Sequence, residues 1–248
     1  MLEHDSSARV VFHSFAERPE LDELTAEVDA AWAPFMTKDP IANASWGAFT
    51  RRHPDFQLYG VDEAGDVVVK VNAVPTAIDR DRLPDRGWDE AIERSLVDDP
   101  PTVVSALQIN VHPRLRGTGL SAVALGHMRR VSVEHGFDEL VAPVRPTWKA
   151  RYPLTDIQTY AGWTREDGLP FDPWLRVHVR AGGVIAGVCR RAMTIPGTVA
   201  EWEEWSGMRF PESGRYVVPE ALEPVEIDLA ADRGLYVEPG VWVRHRLG

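Results

Sequence analysis

Cysteine is almost missing from this chain: Cys189 is the only one in 248 residues. No intrachain disulfide can form, and a metal site built from several thiolates is excluded. Long apolar runs are missing too. None approaches the roughly 18 residues that a membrane-crossing helix needs. The start, MLEHDSSARVVF, lacks the basic start and long apolar run of a signal peptide, so a soluble cytoplasmic protein is the expectation. Positive charge is scarce: 27 Lys and Arg stand against 38 Asp and Glu, a formal balance of −11. A general nucleic-acid binder needs a basic face to neutralise phosphates, so no nucleic-acid partner is expected. Internal repeats, low-complexity segments and a phosphate-binding G-x-x-x-x-G-K-[ST] pattern are also absent.

What is present is ordinary globular material. Hydrophobic residues make up 44% and charged residues 26%, enough to build a core. ARVVFHSF (8–15) reads as a strand and PELDELTAEVDAAW (19–32) as a helix, with Leu21, Leu24, Val28, Ala31 and Trp32 on one face. FQLYGVD (56–62) and DVVVKVNAV (66–74) read as a hairpin turning at Glu63-Ala64-Gly65. Residues 79–101 form a charged excursion with a short helix at WDEAIERSL (88–96). TVVSALQINV (102–111) is the most continuous apolar segment and reads as a central strand buried on both faces. Leu120, Val123, Ala124, Met128 and Val131 then line one stripe of a helix, Gly136 suits its cap, and ELVAPV (139–144) is the next strand. Further on, WLRVHVRAG (174–182), AGVCRRAMTI (186–195) and GVWVRHRL (240–247) read as strands, and TVAEWEEWSGM (198–208) as a helix on which Trp202 and Trp205 share a face. The order is that of a mixed α/β sheet with helices packed on it. No linker interrupts it, so residues 1–248 read as a single domain.

The informative stretch is LQINVHPRLRGTGLSAVALGHMRR (107–130), where a strand hands over to a helix through two arginines and two glycines. One reading is a plain strand-to-helix turn in which glycine relieves strain. A second is a dinucleotide fingerprint, since GTGLSA (117–122) fits G-x-G-x-x-A. Its context is wrong: HPRLR separates the strand from the first glycine, and Asp138 and Glu139 precede the next strand, whereas a ribose-binding acid would follow it. A third reading is an anion site, because free amides at a helix start and nearby guanidinium groups favour a diphosphate.

VHPRLRGTGL also resembles the acyl-CoA loop of the GNAT (N-acetyltransferase) superfamily, [RQ]-x-x-G-x-[GA], with Arg114, Gly117 and Gly119 at the matching positions and Arg116 as a companion. The upstream order of elements, EHGFDELVAPV and AGWTRED (161–167) agree with that family, so the resemblance spans about residues 8–165. Arg145 stands where many members have Asn after the fifth strand, and Tyr152 falls at the position of a family tyrosine.

The resemblance implies a mostly antiparallel central sheet with helices on both faces. Residues 1–165 would be the core, and 166–248 a long C-terminal elaboration on the acceptor side. It implies acyl-CoA, acetyl-CoA first, as co-substrate. Ile109, Asn110, Val111, Arg114, Arg116, Gly117, Thr118, Gly119, Leu120 and Ser121 would hold it, and no metal is needed. It implies direct acyl transfer to a small-molecule amine, with an amide near Ile109 to Val111 polarising the thioester. Tyr152 is the first candidate to protonate the leaving thiolate and Tyr160 the second, since Pro153 would disturb a helix at Tyr152. A general base is not evident. The fourth strand offers only Ser105 and Gln108; His112 reads as a loop histidine and His127 as structural, while His178, between Arg176 and Arg180 at alternate positions, could hold a base or receive an anionic acceptor or be a solvated strand face. An acyl-CoA-binding protein without transfer, an interaction module and a homodimer stay open.

Overall fold

A computed structural model describes residues 10–30 and 32–248. Its nine strands are β1 (Val11–Ser14), β2 (Gln57–Val61), β3 (Val67–Thr76), β4 (Val103–Val111), β5 (Glu139–Val144), β6 (Val184–Gly197), β7 (Gly214–Tyr216), β8 (Val225–Asp228) and β9 (Arg233–Arg246). They form one sheet in the order β1-β2-β3-β4-β5-β9-β8-β7, with β6 pairing β9 off that path. Only β4 and β5 run parallel; every other pairing is antiparallel. The helices are α1 (Ala26–Asp29), α2 (Pro40–Arg52), α3 (Gly87–Ser95), α4 (Leu120–Glu134), α5 (Ile157–Ala161), α6 (Pro173–Arg180) and α7 (Val199–Ser206).

Helices cover both faces of the sheet's centre. On one face Phe49 of α2 and Ala91 and Ile92 of α3 pack on Val74, Val103 and Leu107. On the other, Ala124 and Met128 of α4 pack on Val69, Val71 and Val104. The expected hairpin and central strand are present, and the helix stripe at 120–131 faces the sheet through Ala124 and Met128. The C-terminal addition is an excursion inside one long hairpin. β6 and β9, each 14 residues, pair from Val184↔Arg244 to Gly197↔Gly234. Between them α7, β7 and β8 fold back, with Trp202 buried against Phe35 and Tyr236.

Three expectations are corrected. The helix at 19–32 is a 3-10 turn, Pro19–Leu24, followed by the four-residue α1. Thr25 stands between the two, its hydroxyl within reach of the Asp22 carbonyl (3.0 Å) and Asp29 Oδ2 (2.8 Å), to either of which it can donate its one proton. Ala31, and Ala8 and Arg9 of the first strand, lie outside the described residues. WLRVHVRAG is not a strand but mostly α6: Asp172 caps it by accepting from the amides of Trp174 and Leu175, and Pro173 takes the first position. The alternating pattern there fits a short amphipathic helix as well as a strand. Finally, α2 has no counterpart among the segments read from sequence, since ANASWG within it carries little helical periodicity.

Beneath α2 and α3 sits a buried acid pair. Asp39 caps α2 through the Ala42 amide at 2.7 Å, and Asp89 lies in the first turn of α3. Asp39 Oδ2 and Asp89 Oδ1 have no hydrogen-bond partner among the described residues. Burial, then the nearby Asp39 carboxylate, pushes the Asp89 carboxyl up to about 8. The folded state therefore keeps a proton that the unfolded chain has lost. Stability falls as pH rises from the ordinary carboxylate range through about 8. Asp89→Asn should flatten that slope: little change in Tm at pH 5, and a gain of roughly 5 °C or more at pH 9. Thermal melts across pH check this, and a mutant slope equal to the wild-type slope refutes it.

Candidate active site

β4 and β5 stay in register only at Val104↔Leu140 and Ser105↔Val141. Beyond that point they part, and a cleft of about 1220 Å³ opens between their ends. A register shift between Asn72 and Ala73, opposite Leu107, shapes its wall. Before the shift Leu107 faces α2 and α3; after it Ile109 and Val111 face α4. Gln108 and Asn110 line the cleft together with Lys70 of β3. The Trp88 indole N–H donates to the Leu107 carbonyl at 2.8 Å, which holds the irregular segment in place. The C-terminal half of β4 is thus cleft wall, whereas the sequence pattern led us to expect burial on both faces.

One end of the cleft is built to receive anions. Gly117 (φ 82°) and Gly119 (φ 86°) occupy the left-handed region, and a Cβ on either would meet no atom within 4 Å. Among the described residues the amides of Gly117, Gly119, Leu120 and Ser121 make no hydrogen bond, and all four residues line the cleft. They stand at the start of the 15-residue α4, where the helix dipole adds positive potential. Arg116 lines the cleft, as do Arg176 and Arg180 of α6. Arg129 ties the two helices by donating to the Ala181 carbonyl at 2.8 Å.

Arg114 and Thr118, expected in this site, do not line the cleft. The Arg114 guanidinium pairs with Asp62 (2.6 Å) and Asp66 (3.2 Å) in the β2–β3 turn, and the Thr118 hydroxyl donates to the Leu115 carbonyl. Arg114 therefore braces the loop against the hairpin. His112 does likewise, with its Nε2 2.8 Å from Glu27.

Carboxylates also line the cleft, in two groups: Asp22 and Asp29 with Lys70, and Glu220 and Glu238 with Arg145. Lys70 Nζ lies 2.8 Å from Asp29 and 3.4 Å from Asp22. Tyr59 also donates to Asp22. Trp32, Met36, Trp46 and Trp88 supply apolar surface. Glu238 sits where β9 has left β5, after Val144↔Val241, and has not yet met β8. Its Oε2 accepts from the Tyr236 hydroxyl (2.9 Å) and from Arg145 Nε (3.0 Å). Burial raises its carboxyl above the usual range, against the pull of Arg145.

The two tyrosines do not join this constellation. Tyr160 is buried outside the cleft, and its hydroxyl donates to Asp172 at 2.9 Å. Burial and that carboxylate push the phenol well above its usual range, which makes it a poor proton donor. Tyr152 packs edge-on to Trp163 and does not line the cleft either. Both belong to an aromatic cluster with Phe171, which supports α6 from below. His178 does reach the cleft, but from α6. Its Nδ1 lies 2.9 Å from His245 Nε2, and burial, then its histidine neighbour, pushes it down to about 3. The pair is therefore neutral.

Sequence reasoning missed Glu238, Asp22, Asp29 and Lys70 as site residues. Glu238 carried one signal, an acid beside Pro239-Gly240 between the apolar runs Leu235–Val237 and Val241–Val243. Among the described residues no group of His, Cys, Asp and Glu side chains could hold a metal ion, and no helix is long and apolar enough to cross a membrane.

No protein-family model matches the chain. It is 29% identical over 266 residues to the arginine N-acetyltransferase avaD of Aspergillus versicolor, across 93% of this chain and 91% of that protein. Among solved structures, the loading GNATL domain of CurA from Lyngbya majuscula superposes with a TM-score of 0.66 at 17% identity, covering 96% of this chain and 98% of that one. The GphF GNAT-like decarboxylase in complex with isobutyryl-CoA gives 0.56 at 17% identity, over 96% and 100% of the two chains. Both likenesses span the C-terminal elaboration as well as the core.

Proposed function

We propose that the chain is an acyltransferase of the GNAT superfamily that moves an acyl group from CoA directly to a small-molecule amine, arginine or a similarly cationic compound. The polarity of the cleft carries this reading. Arg116, Arg176, Arg180 and, among the described residues, four free amides line the cleft, and so do four carboxylates with Lys70 and Arg145. The amides and guanidinium groups suit a diphosphate, and the carboxylates a cation. The name of the relative from Aspergillus versicolor supports arginine as the first acceptor to try.

The residues divide the work as follows. Gly117, Gly119, Leu120, Ser121 and Arg116 hold the diphosphate, and the β4 segment Ile109, Asn110 and Val111 aligns the acyl arm along the opened strand edge. Acyl-CoA supplies an activated thioester. Glu238 takes a proton from the amine, a role favoured by its raised basicity and its place in the cleft wall. The amine nitrogen bonds to the acyl carbon, the C–S bond breaks, and the electron pair leaves on sulfur. A thiol of ordinary acidity is a competent leaving group without a strong acid, so no tyrosine is required. Residues 1–248 act as one domain in this reading, supported by a single sheet from β1 to β7.

The test is a thiol-release assay with acetyl-CoA and an amine panel containing arginine, with calorimetry for acyl-CoA binding. Amine-dependent thiol release and an N-acylated product by mass spectrometry are expected. Failure to bind acyl-CoA at millimolar concentration defeats the reading. Binding without release points to an acyl-CoA-binding protein that has lost transfer, the reading that the absence of an acid from β4 itself would favour.

A further inference from the structure

Three side-chain amides run from the sheet interior to the cleft, and their polarity is determined. Gln57 is fully buried, and its Nε2 donates to two backbone carbonyls, His53 (2.8 Å) and Ala73 (3.0 Å). Carbonyl oxygens only accept, so the amide nitrogen of Gln57 must point at them and its Oε1 must point away. Asn72, 1% exposed, donates to that oxygen at 2.7 Å. The Asn72 oxygen then accepts from Gln108 Nε2, also at 2.7 Å. The chain ends with Gln108 Oε1, which no donor reaches among the described residues, on a side chain that lines the cleft. Reversing any one amide would set donor against donor or acceptor against acceptor at the buried Asn72 or Gln57. Two backbone carbonyls therefore dictate, through two buried amides, that the cleft is shown an acceptor at Gln108.

Resting on the acyltransfer reading above, we propose that Gln108 is the specificity-determining residue for the nucleophile: its Oε1 accepts an N–H that the reacting nitrogen keeps throughout the reaction, and Asn72 and Gln57 are its positioning residues. A neutral primary amine carries two N–H bonds. One proton leaves to the base as the C–N bond forms and the C–S pair departs on sulfur. The other remains in the product amide and stays on Gln108. A secondary amine loses its single N–H and leaves the Gln108 oxygen without a donor; an alcohol does the same with its O–H. The site is thereby set for unsubstituted nitrogen, because an acceptor stripped of its partner opposes the transition state.

The experiment compares the most active primary amine with its N-methyl counterpart in the wild type, Gln108→Leu, Gln57→Leu and the double variant Gln57→Leu/Gln108→Glu. The wild type should prefer the primary amine by about thirtyfold or more in kcat/KM. Gln108→Leu should erase most of that preference by slowing the primary amine, with the acetyl-CoA dissociation constant changed by less than about threefold. Gln57→Leu, remote from the cleft, should cost about tenfold because the Gln108 amide can now turn over. The double variant should recover most of that loss, since a carboxylate shows an acceptor whichever way it turns. A Gln108→Leu enzyme that keeps the full preference overturns the proposal while thiol release still upholds the acyltransfer reading. No acyl-CoA binding or thiol release by the wild type removes both. Should Gln57→Leu fail to fold by circular dichroism, the Gln108→Leu comparison decides alone.

Discussion

Gly119→Val is expected to weaken acetyl-CoA binding about a hundredfold or more while the protein stays folded. Two effects add at this position. Gly119 has φ 86°, where a β-branched side chain is strained, so the loop would shift and its amides would no longer converge. The new side chain would also enter the open cleft, because a Cβ there touches nothing within 4 Å. Strain alone predicts a modest loss of Tm and a modest loss of affinity. Obstruction predicts a loss of affinity far beyond the loss of stability. Gly136→Val separates them: Gly136 has φ 83°, lies just past the end of α4 and is equally free of contacts, but does not line the cleft. It should lose stability to a similar degree and keep its affinity. Calorimetric titration beside thermal melts of the two variants reads the difference; equal affinity in both would remove the diphosphate from this loop.

Glu238→Gln is expected to lower kcat about a hundredfold without weakening acyl-CoA binding. Gln can still accept from the Tyr236 hydroxyl and from Arg145, so the local hydrogen bonds survive while the proton acceptor is lost. The pH profile distinguishes a base from a packing residue. Glu238 must be ionised to act, and its carboxyl lies above the ordinary range. The wild-type rate should therefore climb with pH through that raised value, and the mutant should lack the ascending limb. A mutant with wild-type kcat, or with the same limb at the same pH, excludes Glu238 from proton transfer.

Much of the cleft's donor end was legible before any coordinates. The run from Val111 to Ser121 announces itself because two arginines and two glycines gather at a strand-to-helix junction, and because the contacts involved are local in sequence. Even there the reading went too far with Arg114. A guanidinium reaches several ångströms in any direction, and only the folded hairpin brings Asp62 and Asp66 within 2.6 and 3.2 Å of it. Counting from β5 placed Tyr152 and Tyr160 near the chemistry. The fold instead turns that segment into an aromatic support closed by Asp172.

By itself the sequence determined the class of fold, the strand order through β5 and the glycine turn into α4, because periodicity, glycine and capping act over a few residues. The tertiary structure alone decided the rest of the cleft lining. Glu238 meets Arg145 across 93 positions of chain, Lys70 meets Asp29 across 41, and Gln108 receives its orientation from Gln57 through Asn72. Such pairings follow from which strands lie side by side and where their register slips, and no local pattern encodes either.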